Sequence, residues 1–574
     1  MSDVSAGGAP SGAASPGRAD VPVGRRAVVV GGGIAGLSTA ALLGAEGYAV
    51  TLLEAREDVG GRAGVWRSDG FTFDTGPSWY LMPEVFDHFF RLLGSSADEE
   101  LDLVGLDPGY RVFFDRYPPL DIRSDLEHTV ASFEAIEPGA GSRVRAYLAS
   151  ASDTYHVALR HFLYTSFASF LPLLHQDVVR RLPRLATLLT KNLEKYVAEQ
   201  FQDTRLRQVL GYPAVFLGSA PRLTPSMYHL MSHLDLTDAV YYPQGGFTEL
   251  ITRIRALAEK QGVEVRTGAD VVGIATQDLP PGEGMRGRAE RRLGRRLGQR
   301  ARVTGVDYRD AEGRLQHVPA DVVVSAVDMF QTDTRLLPEH LRGHSRRWWD
   351  RRLPGPSAVL VYLGVKGRVE ELQHHSLFFT EDWQRGFDAI FPKGERRAPS
   401  AGPHVDFPSP MSIYVCRPSA TDPTVAPDGD ENLFVLVPAP ADVRLGRGGV
   451  DGAGDPWVER TADAAIAQIA QWAGVPDLGE RVTVRRTVGP ADFAEDLRTW
   501  HGTALGPAHT LRQSAMFRAG NASRKVAGLY HAGGTTIPGI GLPMCLISAE
   551  LVIKRLRGDT STGPLPEPLR PGRR

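Results

Sequence analysis

Cysteine is scarce in this chain: of 574 residues only Cys416 and Cys545 are cysteines, far apart and in no CxxC or Cys/His spacing. That scarcity excludes a disulfide framework, offers no zinc motif or other metal site, and suits a reducing compartment. Net charge is missing as well. Sixty-five Lys and Arg oppose 67 Asp and Glu, which leaves −2, so no global field draws the chain to nucleic acid and any electrostatic preference is local. No segment reaches the ~18 to 20 uninterrupted apolar residues that crossing a bilayer requires. The nearest, HFLYTSFASFLPLLHQ (161–176), is uncharged but broken by Thr165, Ser166, Ser169 and Pro172. It reads as a segment lying in a membrane surface or as a buried helix pair. Residues 1–24, rich in Ala, Gly, Ser and Pro without an apolar block, are expected to form a disordered leader, and 558–574, rich in Pro and Arg, a disordered tail.

What is present begins with order along the chain. The length exceeds what one core usually holds, so two to four domains are expected. A short apolar strand ends at Val30, a glycine cluster follows, and Ile34, Leu37, Ala41, Leu42 and Ala45 fall on one face of a helix that Gly47 stops. The strand YAVTLLE comes next, completing a βαβ opening with buried parallel strands. Further strands are expected in GVEVRTGADVVGI (262–274), RVTGVDYRD (302–310), ADVVVSAVD (320–328) and GLYHAGG (528–534), and a last helix from about Gly541 to Arg557. Residues 150–239 read as mainly helical. Residues 350–500 mix alternating strands such as SAVLVYLGV with a helix at ADAAIAQIAQWAG. The run 279–302 is densely basic and reads as a solvated loop or as a patch drawn to anionic lipid, where each basic residue contributes ~1 kcal/mol.

The glycine cluster carries chemistry. Gly31, Gly33 and Gly36 match GxGxxG between a strand and a helix. The first allows the tight turn, the second lets a pyrophosphate approach the backbone, and the third lets helix and strand pack. A phosphate there meets free N–H groups and the positive end of the helix dipole. Glu54 closes the second strand about twenty residues later, where its carboxylate accepts bonds from ribose hydroxyls and repels a 2′-phosphate. Gly60, Gly61 and Arg62 follow, placed to return the chain along the pyrophosphate and offset its charge.

This glycine pair with its arginine resembles the extended fingerprint of the FAD-dependent amine-oxidase and phytoene-desaturase superfamily. GFTFDTGPSWYLMPEVF (70–86), YYPQGGFTEL (241–250), GTALGPAHTLRQSAMFR (502–518) and GLYHAGGTTIPGIGLPMCLISAELV (528–552) resemble, in that family's order, the bacterial phytoene desaturases. The resemblance implies an α/β fold: a Rossmann-like FAD-binding domain built from discontinuous segments, 25–105, 240–330 and 500–557. A mixed-sheet substrate domain would take 106–150 and 331–499, and a helical membrane-facing subdomain 151–239. It implies FAD contacts at Gly31, Gly33, Ile34, Ala35, Gly36, Glu54, Ala55, Gly61, Arg62 and Ala63. Val271 would hold adenine through its backbone, and Gly76, Pro77, Ser78, Gly533, Pro543 and Met544 would lie near the ring. Tyr80, Tyr241 and Tyr242 are candidate walls of the substrate site. Two departures stand out: Thr535 follows Gly533-Gly534 where the wider superfamily has Asp, and Ile537 stands where many phytoene desaturases have His.

The reaction so implied is hydride transfer from an allylic carbon of a polyene hydrocarbon to flavin N5 with loss of a neighbouring proton, the electrons passing on to quinone or oxygen. No His/Asp pair, HExxH or nucleophile motif identifies a catalytic acid or base. A substrate that resides in lipid implies a cytoplasmic enzyme docked on the membrane face, with 161–176, YPAVFLGSAP (212–221) and LTPSMYHLMSHL (223–234) as candidate mouth segments. A carotenoid cis-trans isomerase or retinol-saturase-like flavoprotein, and a non-catalytic prenyl-binding protein of the same fold, are the alternative readings.

Overall fold

The computed structural model describes residues 24–167, 180–279, 298–391 and 408–570. Nearly all of the leader, most of the basic run and positions 168–176 of the apolar segment lie outside the described residues.

The valine run forms β1 (Arg26–Val30), the glycines turn it into α1 (Ile34–Ala45), and β2 (Ala49–Leu53) returns beside it. Three strands from distant parts of the chain join them: β3 (Glu264–Arg266), β4 (Val322–Ser325) and β5 (Leu529–His531). The five make one all-parallel sheet in the order β5-β4-β1-β2-β3. Four of the five residues of β1 and all four of β4 are buried, as a sheet covered on both faces demands. The final helix, α2 (Leu542–Arg557), packs on α1. Sandwiched in this way, α1 is buried from Ile34 through Leu43 and has no solvent face. The stretch expected as one strand at 262–274 divides. β3 ends at Arg266, Gly268 turns with φ +62°, and a separate strand (Asp270–Asp278) joins an antiparallel sheet with Ala301–Arg309 and Leu315–Pro319.

A seven-stranded mixed sheet forms the second layer system. Its strand Ser357–Val365 was expected to alternate, yet all nine residues are buried. Val359, Val361, Leu363 and Val365 pack in one core with the helix Pro456–Ala473, while Ala358, Leu360 and Tyr362 pack with Phe71 and Phe73. The strands Tyr110–Phe114 and Leu120–Ile122 complete its far edge.

Residues 140–236 contribute helices, among them Ala140–Ala158, Thr204–Gly211 and Met231–Leu236. Two of the candidate mouth segments are interior: Tyr212, Ala214 and Ala220 in one, and Ser226, His229, Leu230 and Leu234 in the other, are buried. Among the described residues no helix is long and apolar enough to cross a membrane.

The tail corrects an expectation. Instead of disorder, residues 558–570 fold back, with Leu565 and Leu569 buried in the core of the five-stranded sheet domain. The reason is a buried cation: the Lys554 ammonium donates to the carbonyls of Ser561 (2.8 Å) and Gly563 (2.7 Å), and to that of Tyr164 (2.9 Å). Composition alone hides such a tether.

Candidate active site

The turn between β1 and α1 is built by sterics. Gly31 has φ +98°, and a Cβ on Gly36 would overlap the Gly31 carbonyl oxygen. Gly33, in an extended conformation at the helix N-cap, has no side-chain cap across it. A methyl there would meet nothing nearer than 3.8 Å, at Gly60 and Gly61. The second glycine turn lies directly against the first: Gly60 N donates to Gly32 O (2.9 Å), and Gly33 and Gly60 form a parallel bridge. Glu54 ties the two together, its Oε2 accepting from Gly32 N (2.6 Å) and its Oε1 from Arg56 N (3.0 Å). Ala55, next to it, is exposed, and Val271 lies in the strand that enters beside Glu54, where Ala269 N donates to Glu54 O (2.8 Å).

Arg62 sits in the short turn Gly61–Ala63. Its Nε donates to Ala504 O (2.7 Å), while its Nη2 is buried without a hydrogen-bond partner. The DTGPS turn presses on it closely enough that a Cβ on Gly76 would overlap the Arg62 carbonyl oxygen. From the other end of the chain, Gly533 (φ +103°) sets its α-carbon against Ala35 of α1, where an added Cβ would stand 3.4 Å from the Ala35 methyl. Pro543 and Met544 are half-buried in the first turn of α2, whose N-terminus also has no side-chain cap. The N- and C-terminal glycine turns thus adjoin one another.

Several contributors carried no assigned role in the sequence reading. Asp328, buried at the end of β4, accepts from Phe330 N (2.9 Å). Burial pushes its carboxyl up, against the pull of Arg62, two backbone N–H groups and Arg518. Arg518 is buried and donates to the carbonyls of Thr536 (3.1 Å), Gln513 (3.2 Å) and Gly534, bracing the final glycine loop. Burial lowers its pKa to about 10. Arg518 lies in the quoted 502–518 motif, so the signal was available.

Beyond the DTGPS turn the surroundings become aromatic. Ser78 Oγ hydrogen-bonds Tyr414 OH (2.6 Å), and Tyr414 OH bonds His375 Nδ1 (2.8 Å). Trp79 stacks on His375 at 4.6 Å and meets Phe216 at 5.0 Å and Tyr110 at 5.3 Å. These residues converge from five regions, which no local motif reveals. The three tyrosines expected as substrate walls each carry contacts within the protein. Tyr80 stacks on Phe86 (4.1 Å) inside the core, Tyr241 bridges to Tyr80, and Tyr242 donates to Asp422 (3.2 Å) from a buried position. A polar cleft of about 430 Å³ near Asp115, Glu381, Asp382 and Arg385 contains none of the residues implied for the flavin.

The donors fit a dinucleotide: an orphaned guanidinium nitrogen, an uncapped helix N-terminus and an open approach over Gly33 all favour an anionic diphosphate. An all-parallel sheet with this turn and a carboxylate ending its second strand define a dinucleotide-binding oxidoreductase.

Comparison with known proteins narrows that class. The family model described as flavin containing amine oxidoreductase matches residues 34–553. A carotenoid 3,4-desaturase of Haloarcula japonica is 38% identical, over 93% of this chain and 99% of that protein. A zeta-carotene-forming phytoene desaturase of Myxococcus xanthus is 32% identical, over 93% and 94%. Among solved structures, putrescine oxidase bound to putrescine (15% identity, TM-score 0.56, 93% of this chain and 99% of that one) shares the fold. Cyclohexylamine oxidase from Brevibacterium oxydans does too (13%, TM-score 0.54, 92% and 97%). The chain belongs to the flavin-containing amine oxidoreductase family and, within it, to the carotenoid desaturases. Its cofactor is FAD.

Proposed function

We propose that the protein introduces double bonds into a long apolar polyene by removing hydrogen from adjacent carbons, and that it works from a membrane surface. The observation that carries this reading is the buried Nη2 of Arg62, which has no hydrogen-bond partner and stands in the turn Gly61–Ala63 beside the adjoining glycine turns. In the proposal, Gly31, Gly33, Ile34, Ala35, Gly36, Gly61, Arg62 and Ala63 hold the diphosphate. Glu54 and Ala55 serve the ribose, Val271 the adenine, and Gly76, Pro77, Ser78, Gly533, Pro543 and Met544 flank the ring. When bound, FAD supplies the acceptor for a hydride, and quinone or oxygen takes the electrons from it.

The chain's own part is recognition and exclusion of water. A hydrocarbon offers no polar handle, so affinity comes from burial at ~25 cal/mol per Å² of apolar surface. The Trp79–Phe216–Tyr110 cluster beside Ser78 supports such a wall, and its ring faces stabilise positive charge developing on an allylic system. For membrane docking, support comes from the loop after Thr510, where Leu511 (41%), Met516 (39%) and Phe517 (55%) are exposed together.

Expression in cells that accumulate phytoene tests the reading. Products lighter by two hydrogens per step are expected. Products of unchanged mass would instead favour the isomerase, and colourless protein unable to take up FAD would favour the prenyl-binding alternative.

A further inference from the structure

Sequence spacing offers no metal motif, yet folding assembles one. The strands His375–Phe379 and Ile413–Cys416 pair antiparallel with His375 directly opposite Cys416, and Arg417 N donates to the His374 carbonyl (2.7 Å). This places His374, His375 and Cys416 at one end of the ladder, all three buried. One ring nitrogen of each histidine and the Cys416 sulfur lie within 4.8 Å of one another.

The hydrogen bonding is that of ligands held in waiting. His374 Nδ1 pairs with the Thr421 hydroxyl (2.7 Å) and His375 Nδ1 with the Tyr414 hydroxyl (2.8 Å). Nε2 of both rings is buried with no hydrogen-bond partner. When Nδ1–H donates to a neighbouring oxygen, the lone pair at Nε2 is fixed in direction, which is how imidazole ligands of metals are oriented. The surrounding field is mixed: the Asp74 carboxyl acts on Cys416, Asp422 acts on His374, and Arg417 opposes at His374. Two imidazoles and a thiol are a borderline-soft set that favours Zn²⁺ or Cu⁺ over Mg²⁺ or Ca²⁺.

We propose that His374, His375 and Cys416 form a binding site for a thiophilic d¹⁰ cation such as Zn²⁺, seated where the seven-stranded sheet meets the turn bearing Ser78. Binding replaces the S–H bond by an S–metal bond and releases one proton to solvent, with no change of oxidation state. Zn–N near ~2.0 Å and Zn–S near ~2.3 Å set ligand atoms roughly 3.3 to 3.5 Å apart in a tetrahedral site, so ligand atoms within 4.8 Å of one another close by up to about 1.5 Å. Because His375 is hydrogen-bonded through Tyr414 to Ser78 and stacks on Trp79, an ion here stiffens the aromatic wall.

The test uses the purified, flavin-loaded protein, stripped with a chelator and dialysed to equilibrium against Zn²⁺. Elemental analysis counts the metal and X-ray absorption reads its neighbours. One Zn²⁺ per chain with a single sulfur neighbour is expected. Cys416→Ser and His375→Gln should each bind at least tenfold more weakly, while Cys545→Ser binds as the wild type does. Flavin content shows whether each variant is folded, and the wild-type absorption spectrum decides if one is not. Wild-type protein that takes up no Zn²⁺, a bound ion with only nitrogen and oxygen neighbours, or undiminished binding by folded Cys416→Ser overturns the site.

Discussion

Gly33 and Gly36 stand three residues apart and answer to different constraints. An alanine at 36 would drive its methyl into the Gly31 carbonyl, whereas at 33 the nearest atoms are 3.8 Å away and the backbone is extended. Gly36→Ala should therefore destabilise the protein itself by at least ~1–3 kcal/mol. Gly33→Ala should leave the flavin-free protein as stable as wild type and cut FAD retention at least tenfold, read from flavin-to-protein ratios and thermal melts. Normal retention by the position-33 variant would remove the diphosphate from this turn. A second residue-scale outcome concerns Asp235. Burial raises its carboxyl from 3.8 to about 7, against the pull of the Tyr110 hydroxyl (3.0 Å). Its folded pKa lies above the unfolded one, so its contribution is present below about pH 4 and lost as pH rises towards 7. Asp235→Asn should gain on wild type across that window by a few kcal/mol, at ~1.36 kcal/mol per unit. A melting difference that stays constant from pH 4 to 7 would refute this. Gly31 to Gly36 could be read in the sequence because the steric rules act between near neighbours. His375 opposite Cys416 could not, since strand pairing joins residues far apart in the sequence.

Elements were legible where continuous apolar runs or glycine stops mark them, as in β1, β5 and α2. The strand expected at 262–274 was misjudged because Gly268 sits inside a valine-rich stretch and turns the chain with φ +62°. Ser357–Val365 was misjudged because both of its faces are covered, which only its tertiary neighbours determine. The last helix shows the limit most clearly. Lys554, in the final turn, is fully buried and its ammonium donates to three carbonyls. Lys554→Met should leave those carbonyls unpaired and release the segment after Gly558. A loss of ~2–4 kcal/mol in urea unfolding is expected, with early proteolytic clipping of the tail. Wild-type stability in that variant would mean that Leu565 and Leu569 alone hold the segment.

At the scale of the molecule, β1, β2 and β4 were legible by their apolar runs and β5 by the glycines that flank it, whereas β3, Glu264–Arg266, carries no such run. The proposed membrane-docking surface was not legible either. Two segments chosen for hydrophobicity turned inward, while Leu511, Met516 and Phe517, scattered in a short polar-looking stretch, turned outward. Phe517→Asp should reduce sedimentation with phosphatidylcholine–phosphatidylglycerol vesicles several-fold while FAD content stays unchanged. Equal sedimentation of the variant and the wild type would move the docking surface elsewhere. The sheet order has a further outcome during synthesis. β5 and α2 follow β1 by about 500 residues, so they leave the ribosome roughly half a minute to two minutes after it at ~5–20 residues per second. Until they emerge, the nascent polypeptide has only half a cradle, so cofactor capture waits until α2 has been made. Any premature stop ahead of α2 then yields a product that can never turn yellow.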